Sequence, residues 1–189
     1  MGHRLAQFHG TSREPRLLAE VNGNGIVKLI PLYDIVDRSS IDVQATIEEW
    51  LWKFEGVYET ARYGSFFAAS AGLEYTFFGV VAEAGDLGVI AEFHYDGRDR
   101  SAPLTLFDDD LFLGARITLN DDADTSFLGG IIFDPTSHAK AISMEAATRL
   151  SDNWKLEIEL RLYEDLKSSE LLYSIRRDDH VQVRFARYF

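Results

Sequence analysis

Two histidines are the side chains of this sequence best suited to acid–base chemistry. His94 stands between Glu92 and Asp96 in an alternating segment, which predicts all three side chains on one face of a strand. His180 lies on the polar face of the last alternating segment. A histidine beside carboxylates could bind a metal ion or act as a general base. We interpret both as members of an ionic network and predict no metal site; a hydrolase would need one of them beside a serine or carboxylate in a cleft.

Charged runs in the connecting segments offer weaker candidates. Two acidic runs could supply oxygen ligands for a divalent cation, namely Asp108 to Asp110, and Asp121, Asp122 and Asp124. Neither run has the spacing of an EF-hand loop. Four loop arginines could contact phosphate groups, namely Arg98, Arg100, Arg176 and Arg177. We interpret both sets as solvated loop charge. The sequence has no nucleophile elbow, P-loop or dinucleotide fingerprint, so we predict neither an enzyme nor a cofactor.

Residues 154–162, W-K-L-E-I-E-L-R-L, show the pattern that must position these side chains. Apolar and charged residues alternate without a break, whereas a helical period of 3.6 would scatter the apolar residues around the circumference. Similar alternation predicts about ten strands, at residues 5–10, 41–48, 50–59, 69–77, 87–96, 111–119, 127–133, 142–150, 154–162 and 180–189. The faces of 127–133 are ambiguous, and residues 27–32 could pair locally inside a long loop at about 11–40. The fold class predicted is an all-β antiparallel meander, one domain over residues 1–189, closed into a barrel because closure removes the edges.

Composition limits the partners. The chain has 189 residues, a formal charge of −12 and no cysteine. Without a basic stripe we expect no nucleic-acid partner, and without cysteine there is no disulfide framework. No apolar run approaches the ~20 residues of a membrane-spanning helix, so a membrane location would require a barrel. The first residues lack a secretory signal, which fits either a cytoplasmic protein or a mature, trimmed or truncated form. We favour the latter, because residues 4–8 already have the pattern of the end of a strand.

Alternation leaves open whether the apolar face meets lipid or a core. Three features favour lipid. Aromatic residues crowd the ends of the apolar faces, long and short connections alternate, and one face repeatedly carries both signs of charge. We therefore predict that a barrel interior is lined by Lys53, Glu55, Glu74, Glu92, Arg116, Glu145, Arg149, Lys155, Glu157, Glu159, Arg161 and Arg184.

The C-terminal segment V-Q-V-R-F-A-R-Y-F resembles the last strand of Gram-negative outer-membrane β-barrels. The segments at 73–79, 86–93 and 109–116 are similar to the C-terminal part of uncharacterised, porin-like members of that class. The resemblance implies an outer-membrane location, contact with lipid and lipopolysaccharide, and further strands before the equivalent of Leu5. It also implies a signal read by the barrel-assembly machinery, formed by Val181, Val183, Phe185 and Phe189, although Arg187 departs from the usual pattern.

The sequence therefore predicts an integral outer-membrane β-barrel that passes small polar solutes or has a structural role. The alternative is a soluble, lipocalin-like barrel that binds an apolar ligand. In the soluble barrel Leu156, Ile158 and Leu160 point inward, and Glu157 and Glu159 point outward. Only the outer-membrane barrel places these apolar side chains on the outside.

Overall fold

The chain is built from β-strands. A computed structural model describes residues 1–21, 23, 25, 27–82, 84–106, 108–168 and 171–189. Within these ranges no helix is long and apolar enough to cross a membrane, and the helical structure is a short 3₁₀ turn at Leu171–Ile175. The strands are β1 Gly2–Thr11, β2 Arg16–Val21, β3 Val27–Leu32, β4 Ile35–Ile47, β5 Trp50–Ala61, β6 Gly64–Val81, β7 Gly85–Asp96, β8 Asp110–Thr118, β9 Ser126–Phe133, β10 Lys140–Ser151, β11 Trp154–Glu164 and β12 His180–Arg187.

Ten strands form a single antiparallel sheet in the order β1-β4-β5-β6-β7-β8-β9-β10-β11-β12. Strands β2 and β3, which lie between β1 and β4 in the sequence, form a separate hairpin. The predicted antiparallel meander is confirmed, and so is the local pairing of residues 27–32. The long loop ends earlier than predicted, because β4 starts at Ile35 and pairs with β1 from that residue onward. Strand β6 extends past the predicted end at Phe77 and reaches Val81, with an irregularity in its pairing with β7 after Phe77.

Closure of the sheet is the predicted feature that the structure does not contain. β1 and β12 are the edges of the ten-stranded sheet and are not paired with each other. Alternation determines the face on which a side chain lies, but closure depends on strand tilt and stagger, which alternation does not encode. Because neighbours are antiparallel and the sheet has ten strands, β1 and β12 run in opposite directions.

The two ends of the sheet differ in their connections. One end, here called the turn end, carries the short connections 48–49, 82–84, 119–125 and 152–153. The opposite end, the loop end, carries segments 12–34, 62–63, 97–109, 134–139 and 165–179. Glu48 and Asn120 take the left-handed backbone conformation that tight turns require, with φ of 55° and 54°. The three longest connections, 12–34, 97–109 and 165–179, therefore lie together at one end of the sheet.

Cross-strand register assigns the two faces of the sheet. Ile158 pairs with Val183 on one side and with Ala146 on the other, and Ala146 pairs in turn with Phe127. The ambiguity at residues 127–133 is resolved in the same way, since Phe127 and Ile131 share the face of Ile158 while Leu128 lies on the opposite face. We call the face that contains Ile158 the apolar face and the other one the polar face.

The apolar face is exposed and the polar face contains the buried side chains. Trp52 is 48% exposed and Phe185 is 61% exposed, although both are large and apolar. The buried non-glycine strand residues of the described chain all lie on the polar face, namely Val36, Glu59, Phe66, Glu74 and Asp110. Sheets of water-soluble proteins bury their apolar face instead. The sheet thus exposes its apolar face and buries parts of its polar face, which is the reverse of the arrangement in water-soluble proteins.

Candidate functional site: the polar face

The polar face carries every charged residue that the sequence assigned to a barrel interior. Glu157 pairs with Arg184 and Glu145 pairs with Glu159, so these side chains point to the same side of the sheet. The same register runs through β5 to β10. It places on this face Lys53, Glu55, Glu74, Glu92, Arg116, Glu145, Arg149, Lys155, Glu157, Glu159, Arg161 and Arg184.

The charges of β10 to β12 pair with each other both within β11 and between neighbouring strands. The Arg161 guanidinium lies 2.7 Å from the Glu145 carboxylate and 2.9 Å from that of Glu159. Glu157 accepts from Lys155 at 2.9 Å and lies 3.5 Å from Arg184. Arg149, at the turn end of β10, pairs with Asp124 at 3.7 Å. Each predicted charge on these three strands therefore has an opposite charge nearby.

The charges of β4 to β8 are less completely paired. Glu74 is held by Arg116 across two strands. Within the described ranges, Asp42, Lys53 and Glu55 have no opposite charge within 4.0 Å. Asp42 and Glu55 also stand directly opposite each other, which is an unfavourable arrangement for like charges. Within the described residues, this half of the polar face therefore has charges that lack a close ion pair.

Glycines make room for large side chains on the polar face. A Cβ atom on Gly72 would lie 2.7 Å from Cγ of Glu92. On Gly114 a Cβ atom would lie 2.6 Å from the Phe112 ring, and on Gly130 it would overlap the same ring. Glycine is needed at such positions because no other residue allows so close an approach.

A network of ion pairs joins the connections at the loop end. Arg16 donates to Asp34 at 2.5 Å, and Arg38 donates to the buried Glu59 at 2.6 Å. Tyr63 also donates to Glu59, and burial together with this hydrogen bond raises the pKa of Tyr63 above its usual range. Arg38, on the polar face of β4, also lies 3.7 Å from Glu14 and so connects the segment 12–34 to that face, while Tyr63 connects the β5–β6 turn to it.

Arg98 joins the network from the segment 97–109. It pairs with Asp96 at 2.7 Å and with Glu14 at 3.3 Å, and its guanidinium lies over the Phe66 ring. Arg176 similarly lies over the Tyr173 ring, 3.9 Å from its centroid. Two of the four arginines considered for phosphate contact are thus engaged within the chain.

The histidines occupy different environments. His94 lies on the polar face, 4.0 Å from Glu92, between Ser70 and Asp110 on the two neighbouring strands. His180 also lies on the polar face, and its Nδ1 is 2.8 Å from the Asp178 carbonyl oxygen. The described residues contain no group of three or more histidines, cysteines or carboxylates arranged to hold a metal ion.

The acidic runs serve local turn structure. The Asp110 carboxylate accepts the backbone N–H of Asp108 at 3.0 Å, and Asp121 accepts that of Thr125 at 2.8 Å. The bonds from Thr125 lower the pKa of Asp121 below its usual value. Asp134 closes the β9–β10 connection in the same way, through the N–H of Thr136 and of Ser137.

Aromatic side chains group at both ends of the apolar face. Trp50, near the turn end, lies 5.7 Å from Trp52 and 4.7 Å from Tyr75, measured between ring centroids. Towards the loop end, Phe67 and Tyr95 are 6.5 Å apart. On β5 to β7 the apolar face thus carries aromatic rings near both of its ends.

The C-terminal strand continues this apolar face. Val181, Val183 and Phe185 are all more than half exposed on it. The Arg187 guanidinium lies between two rings, 5.6 Å from the Trp154 centroid and 4.9 Å from that of Phe189. Arg187, which departs from the residue type usual at this position in the C-terminal strands that the sequence resembles, therefore makes cation–π contacts with two aromatic neighbours.

Sequence reasoning missed Glu59, Arg38 and Tyr63 at the loop end, and the placement of Ser70 beside His94. Alternation does assign Ser70 and His94 to the charged faces of their strands, but it cannot show which residues of two strands are opposite each other. A comparison of the chain with protein-family models, with curated proteins and with solved structures found no match.

Proposed function

We propose that this chain forms, or is part of, a porin-like β-barrel of the bacterial outer membrane that passes small polar solutes along its polar face. The observation that carries the proposal is the reversed polarity of the sheet. Large apolar side chains are exposed on the apolar face of most strands, while both signs of charge share the opposite face. Lipid is the environment that makes an exposed apolar face favourable.

The dimensions of the apolar face support this proposal. Trp50 and Tyr58 are eight positions apart on β5, which corresponds to about 27 Å along a strand that rises ~3.4 Å per residue. With the ~40° tilt of strands in outer-membrane barrels, this length projects to about 21 Å along the membrane normal, comparable with the apolar band ~25 Å tall, bordered by aromatic girdles, that is typical of such barrels. The three longest connections, 12–34, 97–109 and 165–179, all lie at the loop end, which fits an orientation with the loop end facing outward.

In this proposal the two open edges are paired in the membrane. The antiparallel directions of β1 and β12 allow the two strands to pair with each other and close a ten-stranded barrel. If the chain is a C-terminal part of a longer barrel, preceding strands separate them. Either arrangement satisfies edge groups that lipid cannot hydrogen-bond. Outer-membrane lipid, lipopolysaccharide and the barrel-assembly machinery are the partners that we propose.

The proposal is tested by refolding the chain with and without detergent. A compact species whose migration on a gel shifts on heating, formed only with detergent or lipid, is the expected result, followed by ion conductance in planar bilayers. A monodisperse β-rich protein in plain buffer would contradict the proposal and favour a soluble barrel that binds an apolar ligand. A heat-shifted species without conductance would reduce the function to a structural role.

A further inference from the structure

A cavity lies at the loop end of the polar face, where the long connections meet the strands. Its volume is about 370 Å³, and its lining comes from the segments 97–109 and 134–139, from the chain after β11, and from Asp110 and Ile132 of the polar face. We call it the loop-end cavity. A pocket of this size is large enough for a small organic molecule. The residues that line it indicate which molecules could bind.

Part of the lining is apolar. Leu104 and Leu106, from the segment 97–109, are more than half exposed. Ile132 continues the apolar lining onto β9, where it stands opposite Phe112 and Ala141 of the neighbouring strands. Because covering apolar surface removes it from water, this part of the cavity favours a ligand with an apolar body.

Another part of the lining is acidic and lacks a close cation. It contains Asp108, Asp110 and Asp134, and the charges of the other two act on that of Asp110. His94 stands opposite Asp110 on β7, but within the described ranges no lysine, arginine or histidine nitrogen lies within 4.0 Å of any of these three carboxylates. Charges of one sign that line a cleft concentrate ions of the opposite sign there. This part of the cavity favours a cation.

Asp110 is the carboxylate of this group that most needs a partner. It is only 6% exposed, and the backbone N–H of Asp108 donates to its Oδ2 at 3.0 Å. Among the residues that the structure describes, no other group donates to this carboxylate. A buried carboxylate without a cation is costly, because its charge is removed from water and no opposite charge replaces the water. A cation bound in the cavity would supply that charge.

The cations that also line the cavity are engaged with other carboxylates. Arg98 lies 2.7 Å from Asp96, and Lys140 lies 2.9 Å from an aspartate outside the cavity. Arg100 is exposed, and its charge acts on Asp99. These three side chains therefore leave the charge of the acidic part uncompensated.

We propose that the loop-end cavity binds small organic cations that combine an ammonium group with an apolar body. The ammonium group donates to Asp110 and lies near Asp108 and Asp134, while the apolar body covers Leu104 and Leu106. A bare metal ion is a poorer fit, because within the described chain no three histidines or carboxylates are arranged to hold one. Binding requires the folded loop end, but it does not require that the barrel conducts solutes.

The test uses the full chain refolded in a non-ionic detergent and verified by its heat-shifted migration; if the chain folds in plain buffer instead, the same titrations are made there. Isothermal titration calorimetry with 2-phenylethylammonium, 2-phenylethanol and 3-phenylpropionate compares a cation, a neutral molecule and an anion that carry the same ring. We expect the cation to bind at least about 10-fold more tightly than the alcohol, because hydrogen bonds to an ionised partner are stronger than neutral ones. The anion should not bind.

Asp110→Asn should weaken binding of the cation by about 10-fold and leave binding of the alcohol unchanged, since the amide oxygen can still accept from Asp108 but carries no charge. Asp108→Asn, at an exposed position, tests the same charge if Asp110→Asn does not fold. Leu106→Ser should weaken binding of the cation and of the alcohol by similar factors, because both carry the ring.

Asp121→Asn is the matched control, because Asp121 also accepts a backbone N–H but lies at the turn end, away from the cavity. It should bind the cation as the wild type does. The proposal is overturned if the folded protein does not bind 2-phenylethylammonium, if the alcohol binds as tightly, or if the folded aspartate variants of the cavity bind the cation like wild type. Binding without conductance would instead count against the channel function alone.

Discussion

The two halves of the polar face differ in how their charges are compensated. On β10 to β12, Arg161 bridges Glu145 and Glu159, and Glu157 bridges Lys155 and Arg184. On β4 to β8 the loop end is tied by buried ion pairs, but the middle of the sheet keeps acidic groups without a cation within 4.0 Å in the described residues. One half resembles a structural network, whereas the other has charged groups without a close ion pair among the described residues.

This difference separates stability from function along a single sheet. Opposite charges on adjacent strands stabilise strand pairing, and like charges directly opposite each other weaken it. An uncompensated pair such as Asp42 and Glu55 therefore contributes nothing to strand pairing. Under the proposed function, such groups are the better candidates for contact with solutes.

The largest expected effect tests the assignment of the faces, on which the comparison depends. Ile158→Arg places a charge at the centre of the apolar face and should destabilise the folded barrel by ~2–4 kcal/mol if that face meets the lipid midplane. Glu157→Gln, one residue away on the polar face, should cost far less. Urea unfolding in lipid vesicles, followed by tryptophan fluorescence, measures both. Equal stability of Ile158→Arg and wild type in lipid would reverse the assignment.

The next effect concerns β8 and β9, which lie between the two halves. Gly130→Ala should destabilise the barrel by about 1–3 kcal/mol, because the new methyl group overlaps the Phe112 ring. Gly2→Ala is the matched control, since a Cβ atom at Gly2 would have no other atom within 4 Å. Combining Gly130→Ala with Phe112→Leu should recover part of the loss, measured by the same unfolding experiment. Absence of recovery would show that Phe112 is not the source of the strain.

A smaller effect compares the paired and unpaired cations directly. Arg161→Met leaves Glu145 and Glu159 opposite each other without their shared cation, and should destabilise the protein by ~1–2 kcal/mol. Lys53→Met removes a cation that has no carboxylate within 4.0 Å in the described chain, and should change stability by less than ~0.5 kcal/mol. High salt should reduce the difference between the two variants. Equal losses of stability in Arg161→Met and Lys53→Met would show that the two halves of the polar face do not differ in how much their cations stabilise the protein.

Much of this arrangement could be predicted from the sequence because a strand has a period of two. Ile158 and Glu157 must face opposite sides, and the same rule correctly separates charged from apolar residues on most strands. The rule fails at residues 127–133, where both faces carry apolar groups and only the pairing of Phe127 with Ala146 decides. Local patterning therefore predicts faces well when the two faces differ in polarity.

Features that join distant residues could not be predicted in this way. The bond from Arg38 to Glu59 and the position of Ser70 opposite His94 depend on which residues of two strands are opposite, and a shift of two residues would preserve every alternation. Turn lengths constrain that register, but the irregularity after Phe77 shows that pairing can change within a strand. Sheet closure depends on the same long-range variables.

The smallest expected effect concerns ion selectivity and follows if the barrel conducts. A unit charge about 8 Å from a passing ion contributes ~0.5 kcal/mol in water, which corresponds to roughly a twofold change in permeability ratio. Glu55→Gln should therefore reduce the preference for cations, and Lys53→Gln should increase it by a similar factor. The double variant should return to the wild-type reversal potential in a salt gradient across a planar bilayer. Neutralising the bridged pair Arg161 and Glu145 together should leave selectivity unchanged, because the two charges lie 2.7 Å apart and their fields largely cancel at a distance. Shifts of the same sign for Glu55→Gln and Lys53→Gln would show that these side chains do not line the ion path, even in a conducting barrel.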